Sequence, residues 1–150
     1  MDKTFLVPHE PVGKGRPRVT IFGGKPRLYT PAKTRAFESF VAKKASTFLD
    51  KTDGPIRVDI LAIASRPKRL MRKKDPDGLI YRTVKPDADN VRKAVLDGLS
   101  AFFDDKQVVC GDTIGLYSEK GFKGRVLVRV TTELCSPEKL IESLFPMDDR

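Results

Sequence analysis

The stretch KPDADNVRKAVLDGL, residues 85–99, decides how this 150-residue chain can fold and what it can bind. From Asp89 onward, apolar residues recur at the spacing of one helical face, which predicts an amphipathic helix. On another face, Asp89, Lys93 and Asp97 follow one another at i, i+4 spacing, so the lysine is expected one helical turn from the acids. The apolar stripe comprises Val91, Ala94, Val95, Gly98, Leu99 and Phe102.

The acids around this helix are unusually crowded. Asp87 and Asp89 stand at its start, and Asp104-Asp105 follow soon after its end. Like charges about 4 Å apart repel by roughly 4 kcal/mol near a protein surface, so such acids favour a bound cation. Hard divalent cations such as Mg²⁺ prefer oxygen ligands and take one or two protein carboxylates. In a chain of net charge +9, a metal held by acids in a positive field is suited to phosphodiester cleavage.

A purely structural role for the same acids stays open. Aspartate is a preferred helix N-cap and a common turn residue, so Asp87 or Asp89 could simply accept a backbone N–H group. Asp104-Asp105 could equally form an ordinary polar turn. The spacing of the acids alone does not decide between a metal site and helix capping.

Positive charge is concentrated in two acid-free blocks, residues 11–37 and 60–74. Blocks of this kind predict a polyanion partner, because each neutralised phosphate releases condensed counterions. A solvated basic surface is the alternative interpretation. The second block, together with Pro76 and Gly78 behind it, is expected to be a mobile loop. The cations expected to contact nucleic acid are Lys14, Arg16, Arg18, Lys25, Arg27, Arg66, Lys68 and Arg69.

The remaining pattern predicts a single α+β domain over residues 1–150, with a mixed β-sheet flanked by helices. A helix is expected to begin at Thr30-Pro31 and to end before Gly54, and a short last helix to begin at Ser136-Pro137. The two strands on either side of residues 120–124 are expected to form a hairpin. Strands are predicted at residues 4–8, 19–22, 55–65 (a central strand), 108–110, 113–119 and 125–133.

Compartment and cysteine chemistry follow from the same sequence. No apolar run approaches the roughly 18 residues of a membrane span, and the N-terminus lacks the apolar stretch of a signal peptide. A cytoplasmic location without membrane association is therefore expected. Cys110 and Cys135 lie singly and the chain has one histidine, so neither a structural zinc site nor a disulfide is expected.

Taken together, the motifs resemble those of RusA-type Holliday junction resolvases. The stretch at residues 85–99, followed by DDKQV at 104–108, is similar to the family's central pattern Asp-x-Asp-Asn-x-x-Lys, then x-x-x-Asp-x-Leu, then Asp-Asp-x-Gln-Val. The segments PVGKGRPR at 11–18 and YTPAKTR at 29–35 resemble the version often carried by phages and prophages. The similarity spans most of residues 6–130.

This resemblance implies a RusA-like fold and a crossover junction endodeoxyribonuclease of DNA recombination and repair. The family acts as a homodimer on four-way junction DNA and nicks two strands symmetrically with Mg²⁺, for which Mn²⁺ is expected to substitute. Carried over by position, the family's metal-binding acids fall on Asp87, Asp89 and Asp105, and its essential lysine falls on Lys93.

Two details of that correspondence stay open. The connection between the helix and the acid pair is shorter than in many relatives, which leaves undecided whether Asp104 or Asp105 is the metal ligand. Asp97 also falls on a family position, where a capping or orienting role is expected rather than metal ligation. Phe103 is a candidate wedge at a junction crossover, since Phe102 continues the apolar stripe of the helix.

Two other functions fit the same residues. The first is a metal-dependent nuclease for other branched DNA, such as forks and flaps, with the same site. The second is a non-catalytic basic nucleic-acid-binding protein whose aspartates only cap helices and face solvent.

Overall fold

The computed structural model describes residues 1–148, which form eight strands and three α-helices. Single turns of 3₁₀ helix occur at Lys68–Leu70 and Asp105–Gln107. Within the described range the strands and α-helices are β1 Asp2–Val7, β2 Arg18–Phe22, β3 Lys25–Tyr29, α1 Ala32–Ala45, β4 Ile56–Ala64, β5 Ile80–Tyr81, α2 Ala88–Gly98, β6 Val108–Cys110, β7 Thr113–Tyr117, β8 Arg125–Thr131 and α3 Pro137–Leu144.

The main sheet is mixed and has β4 at its centre. Its strand order is β1-β8-β4-β7-β5, and β6 adds a short second pairing to β4. β4 runs antiparallel to β8 and parallel to β7. Its central position agrees with the prediction from its run of β-branched residues. The mixed sheet and its helices confirm the predicted α+β fold.

The prediction that residues 113–133 form a hairpin is wrong, because β4 lies between β7 and β8. Leu61 of β4 pairs with Leu127 of β8 on one side and with Ile114 of β7 on the other. The connection at residues 118–124 therefore crosses two strand spacings, or about 10 Å. A turn signal in the sequence marks where the chain reverses, but it does not show whether another strand lies between the two arms.

Helices α1 and α2 pack together against the sheet. The predicted stripe of α2 is buried, and Val91, Ala94, Val95 and Leu99 are fully inaccessible. At the crossing, a β-carbon on Gly98 would lie 2.9 Å from the carbonyl oxygen of Glu38 in α1. The glycine therefore lets the two helices approach closely.

The end of α2 corrects one expectation. Phe103 is only 6% exposed and belongs to the core, so it cannot act as a wedge, while Phe102 packs at the core's edge. The chain turns sharply after the helix: Phe102 N–H donates to Leu99 O at 3.0 Å, and Thr52 N–H donates to Phe102 O at 3.0 Å. This turn directs the Phe103 ring inward.

The helix starts follow the predicted pattern with one shift. α1 begins at Ala32, with Pro31 rather than Thr30 at the N-cap position. At α3, the Ser136 hydroxyl accepts the Lys139 N–H at 3.4 Å, as expected for an N-cap serine. Cys110 and Cys135 are free thiols.

Among the helices of residues 1–148, none has the length and apolarity needed to cross a bilayer.

Candidate functional site

The acid pair of residues 87 and 89 lies at the start of α2. Asp87 is the N-cap residue, and its backbone oxygen accepts the Val91 N–H at 3.1 Å. Within the described part of the chain, the Asp87 carboxylate makes no capping hydrogen bond to the helix. Asp89 lies in the first turn with its side chain 75% exposed. Both carboxylates therefore face solvent, and the capping interpretation of Asp87 does not hold.

Lys93 lies one helical turn beyond Asp89, as its spacing predicted. Its ammonium is 3.6 Å from the Asp89 carboxylate, and both side chains are largely exposed. An exposed i, i+4 pair of this kind contributes only about 0.3–0.5 kcal/mol to stability. So small a gain in stability does not account for the presence of these two residues. Both side chains remain accessible to a ligand.

The loop at residues 11–17 packs tightly against the start of α2. Lys14 N–H donates to Asn90 O at 2.9 Å, and Gly15 N–H donates to the buried Thr34 hydroxyl at 3.1 Å. A β-carbon on Gly13 would lie 2.8 Å from Cβ of Pro86. Glycine at this position thus allows the loop to lie directly on the segment that carries Asp87.

A groove of about 770 Å³ runs beside the contact between this loop and the acid segment, and residues of both line it. Asp87 lines it, together with four exposed cations, Arg16, Arg18, Lys33 and Lys85. The groove therefore places a carboxylate in a positive field, as the composition predicted. Lys33 belongs to the first basic block, although it was not singled out there. Lys85 was not among the expected nucleic-acid contacts, although it directly precedes Pro86-Asp87 in the sequence.

Lys14, in contrast, is partly buried and paired with two acids. Its ammonium lies 2.7 Å from Glu38 Oε1 and 2.6 Å from Asp97 Oδ2. Burial alone would lower the pKa of Lys14, but hydrogen bonds to Asp97 and Glu38 outweigh it and raise the pKa above its ordinary value. Lys14 therefore braces the loop against both helices instead of reaching a phosphate. The ion pair of Asp97 with Lys14 fits the orienting role expected for that residue.

The second basic block is also more ordered than predicted. The Arg66 guanidinium donates to Ser118 O at 2.7 Å, to Leu70 O at 2.9 Å and to Gly78 O. These bonds close residues 66–78 into a braced loop rather than a mobile one. Arg66 is thus occupied in building the loop, whereas Lys68 and Arg69 are exposed on it.

A buried arginine that the sequence reasoning missed supports the acid segment. Arg82 is 9% exposed, and its Nη1 donates to Val84 O at 2.8 Å and to Pro86 O at 2.6 Å. Across residues 1–148, its Nε and Nη2 atoms find no hydrogen-bond partner. The contacts of Arg82 fix the backbone immediately before Asp87. Nothing in its local sequence marks it as buried.

The second acid pair lies at the opposite end of α2. Asp104 N–H donates to Gln107 Oε1 at 2.8 Å, and Gln107 Nε2 donates to Thr52 O at 2.8 Å. These bonds attach the turn at Asp105–Gln107 to the chain just before β4. The Asp104 carboxylate lies 3.6 Å from the Lys106 ammonium.

The two acid pairs are therefore far apart within one chain. Val108, just after the second pair, lies beside Ile56 of β4, whereas the start of α2 contacts Gly115, which lies beside Ala62. Ile56 and Ala62 are six residues apart along β4, which corresponds to about 20 Å. In residues 1–148, no three acidic, histidine or cysteine side chains are grouped to hold a metal ion. The fold places Asp87 and Asp89 together at the start of α2 and Lys93 beside Asp89, but it does not bring Asp105 to them.

Comparison with known proteins shows the family of this chain. The model of the family Endodeoxyribonuclease RusA matches residues 8–131. The uncharacterized protein YqaN of Bacillus subtilis (strain 168) is 38% identical over 125 residues, which covers 77% of this chain and 88% of that protein. Because the family match spans most of the chain, we conclude that the protein belongs to the RusA family of endodeoxyribonucleases.

Proposed function

We propose that this protein resolves Holliday junctions as a Mg²⁺-dependent endonuclease that nicks two opposed strands. Membership of the RusA family supports the nuclease activity. The observation that carries the proposal is the groove beside α2, where the Asp87 carboxylate, unused in capping, lies among four exposed cations. A polyanionic backbone fits that charge pattern, and an exposed acid inside it fits a metal-assisted reaction.

The DNA-positioning role falls to the exposed cations of the groove. Arg16, Arg18, Lys33 and Lys85 would contact phosphates, which fixes the register of the backbone without reading its sequence. Lys68 and Arg69 on the braced loop would contact a further part of the junction arms. Lys14 and Arg66 support these surfaces from inside.

The acid pair fits a hard divalent cation. Asp87 and Asp89 offer only oxygen donors, and two carboxylates are the number that Mg²⁺ commonly takes from a protein, with water and phosphate completing its ligands. When bound, the cation supplies Lewis acidity toward the scissile phosphate. The Lys93 ammonium would neutralise negative charge that develops on the attacked phosphate.

The third acid implied by the family resemblance, Asp105, lies in the turn just before β6, and β6 pairs with β4 about 20 Å along that strand from the position of the start of α2. A single chain therefore leaves the acid set incomplete. In a two-fold homodimer, any contact between the copies occurs twice. A dimer that places Asp105 of one copy beside the acid pair of the other therefore completes both sites at once. We infer that the homodimer assembles the metal site as well as pairing the two incisions.

Cleavage of a labelled synthetic four-way junction tests the proposal. We expect two symmetric nicks with Mg²⁺ and none with EDTA. A flap and a linear duplex of the same sequence serve as comparison substrates. Equal or faster cleavage of the flap would favour a nuclease for other branched DNA. Tight junction binding without cleavage in Mg²⁺ or Mn²⁺ would favour a non-catalytic binding protein.

A further inference from the structure

The strands β2 and β3 form a separate two-stranded hairpin. They make a sheet of their own, and all of their residues are exposed. A two-stranded hairpin without further packing is marginally stable in water. An element so extended and so poorly buried suggests a surface for contact with another molecule.

The register of the hairpin separates its residues by face, because directly opposed residues of an antiparallel pair point to the same side. One face is apolar and carries the pairs Val19–Leu28 and Ile21–Pro26. The other, here called the basic–aromatic face, carries the pairs Arg18–Tyr29, Thr20–Arg27 and Phe22–Lys25. Three cations and two aromatic rings thus share one side of the hairpin.

Phe22 is the exposed tip of this face. It directly precedes the turn at Gly23 and Gly24, whose positive φ angles of 59° and 75° suit glycine. Its ring is 67% exposed, and the Arg27 guanidinium lies over it at 5.1 Å from the centroid. This cation–π contact orients a ring that has solvent on its other side.

The basic–aromatic face continues the groove that contains Asp87. Arg18 both lines the groove and begins β2. Phe22 lies four residues farther along the strand, or about 13 Å, which corresponds to roughly four nucleotides at 3.4 Å each. Residues 11–37 contain no acid, so a DNA strand that leaves the groove meets only positive or neutral side chains along this face.

We propose that the hairpin is a base-stacking arm: Phe22 stacks on a base exposed at the branch point, while Arg18 and Lys25 hold the neighbouring phosphates. The inference rests on the proposed function as a junction nuclease. Cations interleaved with exposed aromatic rings are the pattern that binds unstacked nucleotides, because every base has a π-face. Fully stacked duplex DNA offers no such face in its interior, so the arm favours branched DNA.

Binding measurements on the full-length protein test the arm. Fluorescence anisotropy with Ca²⁺ in place of Mg²⁺ would compare a four-way junction with a linear duplex of the same sequence. Phe22→Ala should weaken junction binding by roughly 5- to 150-fold, the range for one lost stacking contact, and should change duplex binding little. Phe22→Trp should restore junction binding.

Two substitutions provide matched controls. Phe122→Ala removes a phenyl ring of similar exposure, 64% against 67%, from a different loop. Ile21→Ala removes a neighbouring side chain from the apolar face of the same hairpin. Both should retain nearly full preference for the junction. Sedimentation of each variant would show whether it keeps the oligomeric state of the unchanged protein.

The possible outcomes distinguish failure of the proposed function from failure of the stacking arm. If the unchanged protein binds junction and duplex equally, the proposed function itself fails. If it prefers junctions but Phe22→Ala keeps that preference, the stacking arm is overturned. Dissociation of the Phe22→Ala variant into monomers would overturn it too, because the hairpin would then be a protein interface. A 2-aminopurine base at the branch point should change fluorescence on binding, and Phe22→Ala should abolish that change.

Discussion

Asp87 occupies a helix N-cap position without using its side chain to cap the helix. A capping carboxylate would be expected to accept a backbone N–H group. We expect Asp87→Asn and Asp89→Asn each to abolish junction cleavage in Mg²⁺ and to preserve or strengthen junction binding, since both changes remove repulsion of DNA phosphate. Cleavage assays and Ca²⁺ binding assays on the same preparations would measure both effects. Full cleavage by either variant would contradict the assignment.

Lys93 should matter for the rate more than for binding. Its ammonium is exposed one turn from Asp89, so Lys93→Ala should lower single-turnover cleavage by roughly 10²- to 10³-fold, the effect of removing one charge-stabilising group. Junction affinity should change much less. Lys139→Ala, an exposed lysine on α3, is the control and should cleave normally. Equal losses of rate and affinity would make Lys93 an ordinary phosphate contact.

Lys14 and Arg16, two residues apart, should separate structural support from DNA contact. Lys14→Ala leaves Glu38 and Asp97 without their shared cation and should lower the free energy of unfolding by about 1–2 kcal/mol, since the ammonium is still partly solvated. Because its pKa is raised, the stabilisation is complete below the ordinary value of 10.5 and is lost as pH rises through the folded value. Urea unfolding at neutral and at high pH would measure it.

Arg16→Ala should behave oppositely. The side chain is exposed in the groove, so stability should stay nearly unchanged. The slope of log junction affinity against log salt should become shallower by about one unit, the effect of one lost phosphate contact. An unchanged slope would place Arg16 outside the DNA interface.

These residues show how far the site could be predicted from sequence. Asp89 and Lys93 share a helix, so their spacing alone placed them together. Whether Lys14 is paired within the protein or free to contact DNA depends on acids 24 and 83 positions away, in α1 and α2. Arg66 and Arg82 likewise bind backbone carbonyls brought close only by folding. Charge patterning identifies where cations lie in the chain, but not which of them the fold uses internally.

At the scale of elements, the crossing of α1 and α2 depends on the lack of a side chain at Gly98. In Gly98→Ala, the added methyl would meet the Glu38 carbonyl oxygen at 2.9 Å, and backbone cannot move aside cheaply. Overpacking should outweigh the gain in helix propensity and cost a net 1–2 kcal/mol or about 3–8 °C in Tm. Gly78→Ala, which meets nothing within 4 Å, should leave the Tm within a degree or two.

Most helices and strands could be predicted from the sequence, but the pairing of the strands could not. The apolar stripe of Val91, Ala94 and Val95 and the β-branched residues of β4 are local periodic signals, and both were confirmed. The pairing of β7 was misjudged because nothing in the local pattern shows that β4, from earlier in the chain, lies between β7 and β8. Two-residue β5 was missed, since so short a strand has almost no period to detect.

At the scale of the whole molecule, the separation of the two acid pairs predicts complementation between chains. Asp87→Asn and Asp105→Asn should each be inactive alone. If each site combines acids of two copies, mixed dimers contain one intact site, and statistical mixing should restore about a quarter of the normal nicking rate. Nicking after co-refolding of the two proteins would measure this. If mixing restores nothing, Asp104→Asn in place of Asp105→Asn would show whether the neighbouring acid is the ligand.

The pairing of β1 with β8 has a consequence for synthesis of the chain. Asp2 lies opposite Thr131, and the amino-terminal ammonium donates to Thr132 Oγ1 at 2.8 Å. A ribosome adding about 5–20 residues per second therefore needs roughly 6–25 s after making β1 before its partner exists. During that interval the nascent chain carries β1 without the strand that pairs with it. The sheet can therefore be completed only after the chain has been made as far as β8.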